Sequence, residues 1–174
     1  MSITIRQEVK EDYKRVYEIN KMAFGREVES KLIEKIRKGP NFVPELSQVA
    51  EKDNEIVGHI LFSKIKIVGE LEYQTLILAP LAVIPEMQKQ GIGGKLIKHG
   101  IEKAIELRFD SIIVVGHKNY YPKFGFQNAS KWGIKCPFEV PDGAFMAIEL
   151  TENALENKAG VVQFPEEFME GLES

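Results

Sequence analysis

The chain contains little cysteine and little histidine. Its 174 residues include a single cysteine, Cys136, and three histidines. One cysteine excludes an intrachain disulfide, and so few thiols and imidazoles leave no cluster with the spacing of a zinc site. Cys136 precedes Pro137 and has no base beside it in sequence, which argues against a thiol nucleophile. We therefore expect no metal and no covalent thiol chemistry.

Long hydrophobic runs and an excess of basic charge are also missing. The longest apolar run, from Leu76 to Pro85, is the length of a strand and far short of the roughly 20 residues of a membrane helix. Residues 1–8 contain no apolar signal core. The 23 basic residues are outnumbered by 26 acidic ones, and a net charge of -3 argues against nonspecific nucleic-acid binding. We expect a cytoplasmic protein that binds neither nucleic acid nor a membrane.

The overall composition is typical of a folded domain. Hydrophobic residues make up 44% of the chain and charged residues 28%, close to the averages for globular proteins. The length suits one domain, or one domain with an appendage. We predict a domain over residues 1–150 and a C-terminal extension over residues 151–174 that packs on it, with a candidate edge strand over 161–164.

Hydrophobic periodicity predicts both helices and strands. The predicted helices are 12–24, 28–38, 92–107 and a short one at 120–124. The predicted strands are 3–6, 47–51, 56–68, 73–83, 111–115 and 145–150. The strand at 73–83 is apolar on both faces, which is typical of a central strand, and a crossover helix joins it to the next strand, which predicts a parallel pair. Together, the predicted helices and strands indicate an α+β domain with a mixed, mostly antiparallel sheet.

A glycine-rich turn precedes the longest predicted helix. The segment from Gln88 to Lys95 reads QKQGIGGK. Glycine allows close backbone approach, and the first turn of a helix carries unpaired N–H groups, so this turn can seat a phosphate, with Lys89 and Lys95 adding charge. Leu96 stands where a dinucleotide fingerprint needs its third glycine and where a P-loop needs Ser or Thr. The alternative is a turn that only lets the helix pack on the sheet.

Two motifs in this half of the chain resemble the GCN5-related N-acetyltransferase (GNAT) family. Gln88, Gly91 and Gly93 match its motif A: Gln or Arg, two free positions, Gly, one free position, then Gly or Ala. Residues 120–126 read YYPKFGF and resemble the family's Tyr-x-x-Leu/Phe-Gly-Phe segment. With the run LAVIP at 81–85, the chain looks most like the bacterial YhbS-like branch. The resemblance implies the GNAT fold, with helices flanking a sheet that is splayed between its two central parallel strands.

The resemblance also implies a site for acetyl-coenzyme A as co-substrate. In the family, the pantetheine arm fills the gap between the central strands, where Leu81 and Val83 are the expected backbone partners. A bulge in the strand would free an amide to polarise the thioester carbonyl. The diphosphate lies on the amides of the glycine turn. The expected coenzyme-binding residues are Leu81, Ala82, Val83, Gln88, Lys89, Gln90, Gly91, Ile92, Gly93, Gly94 and Lys95.

Two tyrosines are candidates for the catalytic proton chemistry. Tyr121 stands four residues before Gly125, where the family often carries a tyrosine that serves the departing thiolate. A tyrosine hydroxyl with its ordinary pKa of about 10 is protonated at neutral pH and able to donate. Tyr120 is the neighbour that would replace it. Packing on the sheet is the alternative for both side chains.

The sequence leaves the general base open. Glu27 and Glu29 lie in the segment that borders the acceptor cleft in similar proteins, although an exposed helix face is the preferred interpretation. His117 follows a strand end near the expected coenzyme cleft, which is a place where functional residues occur. His59 and His99 are expected on ordinary strand and helix surfaces. A chain of water molecules is a further alternative.

The chain departs from the family pattern in one place. Many relatives carry an asparagine several residues before the tyrosine, but residues 114–118 contain none and Asn119 is too close. This puts coenzyme contacts after the fifth strand in doubt. No motif in the loops at 24–30 and 132–143 indicates the acceptor. Core packing is the preferred role of the aromatic residues Phe42, Trp132 and Phe138, and lining of a pocket is the alternative.

The resemblance implies an enzyme that moves an acetyl group from acetyl-coenzyme A to a primary amine by direct attack in a ternary complex. Three alternatives stay open: an acyltransferase with another acyl donor or an oxygen acceptor, a non-catalytic acyl-coenzyme A sensor, and a glycine turn that serves packing alone. Relatives are often dimers, so a homodimer is a further alternative to a monomer.

Overall fold

Residues 2–168 are described in a computed structural model of the chain. Residues 169–174, the last part of the predicted extension, lie outside the described residues. The helices are α1 (Tyr13–Phe24), α2 (Val28–Lys38) and α3 (Ile92–Glu106). The strands are β1 (Thr4–Gln7), β2 (Phe42–Lys52), β3 (Glu55–Val68), β4 (Glu72–Val83), β5 (Ser111–Val115), β6 (Gln127–Asn128), β7 (Ile134–Lys135), β8 (Phe145–Glu149) and β9 (Gly160–Gln163). The α+β prediction is confirmed.

A mixed sheet runs through the molecule in the order β1-β2-β3-β4-β5-β8-β6. Its pairs along this order are antiparallel except for the central pair, β4 and β5, which is parallel. β9 pairs with Lys66–Val68 of β3, past the point where the pairing of β3 with β2 ends. β9 also pairs with β7. The segment after residue 150 thus contributes a strand to the same sheet.

Helices cover both faces of the central strand β3, whose residues alternate between the two faces. On one face, a Cβ at Gly58 would lie 3.1 Å from Leu96 of α3, and a Cβ at Gly100 of α3 would lie 2.2 Å from the ring of Phe62. Gly100 therefore lets α3 lie directly on β3. On the other face, His59 lies beside the Glu8 carboxylate that pairs with Arg37 of α2.

The predicted strand at 47–51 is too short, because β2 begins at Phe42. Its register against β3 shifts between Phe42 and Ser47, and Pro44 lies within the shifted part. Proline lacks a backbone donor and is confined to strand edges and bulges. The irregular pairing around Pro44 therefore interrupts the alternation of apolar and polar residues by which a strand is recognised in the sequence. β6 and β7 contain two residues each, too few to show a period.

The central parallel pair opens partway along its length. β4 pairs with β5 only at Leu76–Ile112 and Ile77–Ile113, whereas β5 continues to pair with β8 as far as Val115. Against β3, Phe62 pairs with Leu78 and Ile60 with Leu81. Two positions on β3 thus span three on β4, which places a bulge at residues 79–80. The expected bulge and splay are both confirmed.

Candidate active site

A cavity of about 540 Å³ occupies the opening between β4 and β5. The bulge residues Ala79 and Pro80, followed by Leu81, line one side, and His117 and Tyr121 line the other. The size falls within the range of small-molecule sites. The bulge directs β4 away from β5, so the cavity results from the register of the sheet and not from an irregular loop.

Alternation along β4 decides which backbone groups face this opening. The Ile84 N–H donates to the Val57 carbonyl of β3 at 2.9 Å, and a Cβ at Gly58 of β3 would lie 3.2 Å from the Ala82 carbonyl oxygen. Ala82 therefore turns its backbone groups toward β3. Its neighbours Leu81 and Val83 turn theirs to the open side, because successive residues of a strand point their N–H and C=O groups in opposite directions.

Gln88 joins the end of β4 to the glycine turn. Its side-chain amide donates to the Val83 carbonyl at 2.9 Å, so that carbonyl already has a partner. The backbone groups left for a ligand on this side are those of Leu81 and the Val83 N–H. Pro80 has no N–H, so Ala79 and Leu81 are the residues beside it that carry amide donors.

The glycine turn presents unpaired donors at the start of α3. Gly91 is the N-cap of α3, with a φ of 84°, and no side chain of residues 2–168 caps the first turn. The first N–H groups of a helix have no intrahelical partner. Lys89, with a φ of 63°, and Lys95 are exposed beside them. The partial positive charge of a helix start and the two ammonium groups favour an anion here.

The glycines of this turn have different surroundings. A Cβ at Gly93 would lie 3.1 Å from the Tyr120 hydroxyl, and one at Gly94 would lie 3.3 Å from the ring of Phe124. Those two glycines let the aromatic segment pack on α3. A Cβ at Gly91 would meet nothing within 4 Å. Packing therefore accounts for Gly93 and Gly94 but not for Gly91, which combines a left-handed backbone with open space.

The structure separates the two candidate tyrosines. Tyr121 lines the cavity, and its ring lies so close to Gly116 that a Cβ there would approach it to 2.3 Å. Burial, with a smaller contribution from Tyr120, raises the pKa of Tyr121 to about 12. The hydroxyl is therefore protonated at neutral pH. Tyr120 stacks edge-on against Tyr121 at 5.2 Å between ring centroids, but its hydroxyl lies over Gly93.

Glu29 lies in the cavity, contrary to the preferred interpretation of an exposed helix face. It lines the cavity, and Arg26 donates to both of its carboxylate oxygens at 3.1 and 2.6 Å. Glu27 instead accepts a hydrogen bond from the Tyr17 hydroxyl at 2.7 Å, which lowers the pKa of its carboxyl group. His117 lines the cavity and is exposed.

The expectation for His59 is wrong, because this residue is completely buried. Its Nε2 lies 2.9 Å from the Ser47 hydroxyl and 3.6 Å from Glu8. Burial and the Arg37 guanidinium lower the pKa of His59 to about 3, so its imidazole is neutral at neutral pH and makes no ion pair with Glu8. His99 is half-buried on α3 and its Nδ1 lies 2.8 Å from the Gln48 side-chain oxygen.

Sequence reasoning missed most of the aromatic cavity lining. Phe24, Phe138, Phe164 and Phe168 all line the cavity, and of these four the sequence singles out Phe138 alone, with core packing as its preferred role. Phe164 and Phe168 follow β9, and no periodicity or motif in that short segment connects them to Phe138. Trp132 does not line this cavity; it ends a 3-10 turn over Ala129–Trp132.

Residues 2–168 contain neither a cluster of metal ligands nor a membrane-spanning helix. No group of three or more His, Cys, Asp and Glu side chains in that range comes together as a metal site requires. No helix in that range is long and apolar enough to cross a membrane. Burial raises the pKa of the Cys136 thiol, which reduces its thiolate fraction.

Comparison with known proteins shows the same architecture. The chain is 38% identical to the N-acetyltransferase YjhQ of Escherichia coli K12 over 135 residues, 76% of this chain and 75% of YjhQ. A crystal structure of E. coli YhbS in complex with CoA matches with a TM-score of 0.89 and 26% identity, covering 96% of this chain and 92% of that one. A Brucella melitensis GNAT acetyltransferase in complex with acetyl-CoA matches with a TM-score of 0.79 and 26% identity, covering 96% and 98%. Residues 7–126 match the sequence profile of the acetyltransferase (GNAT) family, and the chain belongs to that family.

Proposed function

We propose that this chain transfers an acetyl group from acetyl-coenzyme A to a primary amine. The observation that carries the proposal is the combination of an opened β4–β5 pair with an uncapped start of α3, which follows β4 directly in the chain. Gln88 ties the turn before α3 to the end of β4 through its bond to the Val83 carbonyl. Two solved relatives that each cover 96% of this chain contain CoA or acetyl-CoA, which supports the same ligand here.

The chain's own groups suit the two ends of such a ligand. We propose that the amides of residues 91–94, with Lys89 and Lys95, receive the diphosphate. We also propose that Gln88 and Gln90, beside the turn, contact the coenzyme. Their side-chain amides donate to the backbone carbonyls of Val83 and Glu86, which fixes the turn. Leu81 and Val83 offer backbone groups to the pantetheine arm, and Ala82 holds this part of β4 against β3.

The reaction needs charge stabilisation and a proton. As the amine nitrogen forms its bond to the thioester carbon, negative charge grows on the carbonyl oxygen, and an N–H at the bulge, such as that of Leu81, is placed to stabilise it. The acceptor is an ammonium ion at neutral pH, so it loses one proton to solvent or to a base in the cavity before it attacks, and its nitrogen loses a second proton after the bond to carbon has formed. The carbon–sulfur bond then breaks, and the leaving thiolate takes a proton from the Tyr121 hydroxyl. Tyr121 regains its proton from solvent.

The C-terminal extension belongs to the proposed unit. β9 lies beyond residue 150 and pairs with β3, and Phe164 and Phe168 line the cavity. We propose that residues 151–168 act with residues 1–150 as one functional domain. A chain ending at residue 150 would lose one wall of the cavity.

The first test is whether acetyl-coenzyme A binds. A ligand at 100 times its Kd adds about 2.7 kcal/mol to the free energy of unfolding, so we expect a clear rise in melting temperature. Release of free thiol in the presence of an amine panel then tests turnover. Binding without thiol release from any amine would indicate a sensor, and no binding at millimolar ligand would contradict both functions.

A pair of glycine variants tests the phosphate seat. Gly91→Glu places a side chain and a negative charge in the open space before α3, and we expect it to abolish acetyl-coenzyme A binding. The matched control is Gly25→Glu: Gly25 ends α1 with a φ of 69°, and a Cβ there would also meet nothing within 4 Å. Both variants force glutamate into the left-handed region, so equal losses of binding would contradict the proposed seat.

A further inference from the structure

Three phenylalanines form one wall of the cavity, here named the phenylalanine wall. Phe138 follows β7, while Phe164 and Phe168 follow β9. The Phe164 ring centroid lies 5.4 Å from that of Phe138 and 5.7 Å from that of Phe168. All three line the same cavity as the β4 bulge and Tyr121. A molecule that reaches the bulge from this side contacts aromatic carbon.

The charged side chains of the cavity already satisfy each other. Among its described lining residues, the only carboxylate is that of Glu29 and the only guanidinium is that of Arg26, and both Glu29 oxygens accept from Arg26. Because Arg26 and Glu29 bind each other, a second ammonium group or a carboxylate on a ligand finds no unengaged carboxylate or guanidinium among these lining residues. Burying a charge without a partner is unfavourable.

We infer that the acceptor is a primary amine with a single cationic centre, carried on an aromatic or similarly apolar substituent. The substituent packs on the phenylalanine wall while the amine reaches the bulge and Tyr121. Burial of apolar surface and ring–ring contacts favour such a ligand, and the mutually paired Arg26 and Glu29 favour one without further charge. The inference rests on the proposed function, because it names the acceptor of the same site.

The first experiment compares amines at saturating acetyl-coenzyme A. The probes are 2-phenylethylamine, which has one charge and one ring, spermidine, which has several charges, and ethanolamine, which has one charge and no apolar group. We expect kcat/KM measured by thiol release to be roughly tenfold or more higher for 2-phenylethylamine than for either other amine. A preference for spermidine, or equal rates with ethanolamine, would overturn the inference.

The second experiment removes one ring of the wall. Phe164→Ala is expected to raise the KM for 2-phenylethylamine roughly tenfold and to leave the Kd of acetyl-coenzyme A unchanged. The matched control is Phe109→Ala, because Phe109 packs against the core and does not line the cavity. Phe138→Leu keeps most of the buried volume, should fold if Phe164→Ala does not, and should raise the same KM. An unchanged KM in the wall variants would overturn the inference.

A binding measurement separates this inference from the proposed function. Calorimetry of 2-phenylethylamine added to protein saturated with coenzyme A should show binding that Phe164→Ala weakens. If acetyl-coenzyme A does not bind at all, the proposed function fails. If it binds and 2-phenylethylamine does not, the inference fails and the proposed function stands.

Discussion

Two groups of polar residues in this molecule differ in what their surroundings allow them to do. The first, here named the buried cluster, consists of Glu8, Arg37, Ser47 and His59, and it brings a carboxylate, a hydroxyl and an imidazole within hydrogen-bonding reach. The second lies in the cavity and consists of Glu29, His117 and Tyr121. By residue type, the buried cluster resembles a catalytic site more closely.

Access distinguishes the two groups. His59 is 0% and Ser47 1% exposed, so no substrate reaches them. Arg37 neutralises Glu8, and the lowered pKa of His59 leaves its imidazole uncharged. In the cavity, Tyr121 adjoins open space and the backbone groups of an opened sheet. The same kinds of chemical group are thus buried and paired in one place and face an open cavity in the other.

The largest expected effect is on stability, from removing the buried carboxylate. Glu8→Ala leaves the Arg37 guanidinium unpaired, with a side chain only 9% exposed. We expect the free energy of unfolding, measured by urea denaturation, to fall by about 3–5 kcal/mol. As a control, Glu72→Ala breaks an ion pair with Lys66 whose side chains are 59% and 57% exposed, and it should cost less than about 1 kcal/mol. Thiol release per folded molecule should be unchanged in Glu8→Ala; loss of turnover would mean that the buried cluster takes part in catalysis.

The next effect is on catalysis, from removing the cavity hydroxyl. Tyr121→Phe keeps the ring and its contacts but removes the proton donor, so we expect kcat to fall about 100-fold, or about 2.7 kcal/mol of barrier. The Kd of acetyl-coenzyme A should not change. Tyr120→Phe is the control, and its hydroxyl lies outside the cavity over Gly93. An unchanged kcat in Tyr121→Phe would transfer the role to Tyr120 or to solvent.

A smaller loss of stability is expected from a single hydroxyl. Ser47→Ala removes the bonds to Glu8 at 2.8 Å and to His59 at 2.9 Å, and leaving those buried groups unpaired should cost about 1–3 kcal/mol. Ser63→Ala is the matched control, because the Ser63 hydroxyl is buried with no hydrogen-bond partner among the described residues. Urea denaturation should show little loss for Ser63→Ala. Equal losses in both variants would show that the Ser47 bonds contribute nothing specific.

The effect that develops most gradually is a dependence of stability on pH. Burial lowers the pKa of His59 from 6.5 to about 3 in the folded state, so between these values the unfolded chain binds the extra proton. The free energy of unfolding is therefore unaffected by His59 above pH 6.5, and it falls below pH 6.5 by up to about 1.4 kcal/mol per pH unit.

Measurement between pH 5 and 7.5 checks this sign, since it avoids the range in which carboxylates such as Asp12 titrate. His59→Gln should flatten the dependence, whatever its own effect on stability. The charged groups that act on His59 are Glu8, Arg37 and Asp12. A stability curve with the same slope in the variant would contradict the assignment to His59.

Features encoded locally were predictable from the sequence. The bounds of α1, α2 and β5 follow from periodicity and stop signals within each segment. The glycine turn was recognisable because its residues are consecutive. The sequence does not show that Gly93 and Gly94 serve packing while Gly91 faces open space. That difference depends on where Tyr120 and Phe124 lie in three dimensions.

Features that depend on distant residues were not predictable. His59 has no partner near it in sequence, and its polar surroundings come from Ser47 of β2, from Glu8 just after β1 and from Arg37 of α2. The aromatic side of the cavity likewise joins Phe138 to residues some 26 positions later. No periodic pattern links such positions, because only the folded sheet brings them together.

The position of the phenylalanine wall along the chain has a consequence for how relatives diverge. The family profile matches residues 7–126, which include the glycine turn and Tyr121, whereas Phe138, Phe164 and Phe168 all lie after it. The phenylalanine wall is thus encoded outside the stretch that defines the family, whereas Arg26 and Glu29 of the same cavity lie inside it. Relatives can therefore change this side of the cavity and keep the match to the profile, so membership of the family leaves the aromatic wall unspecified.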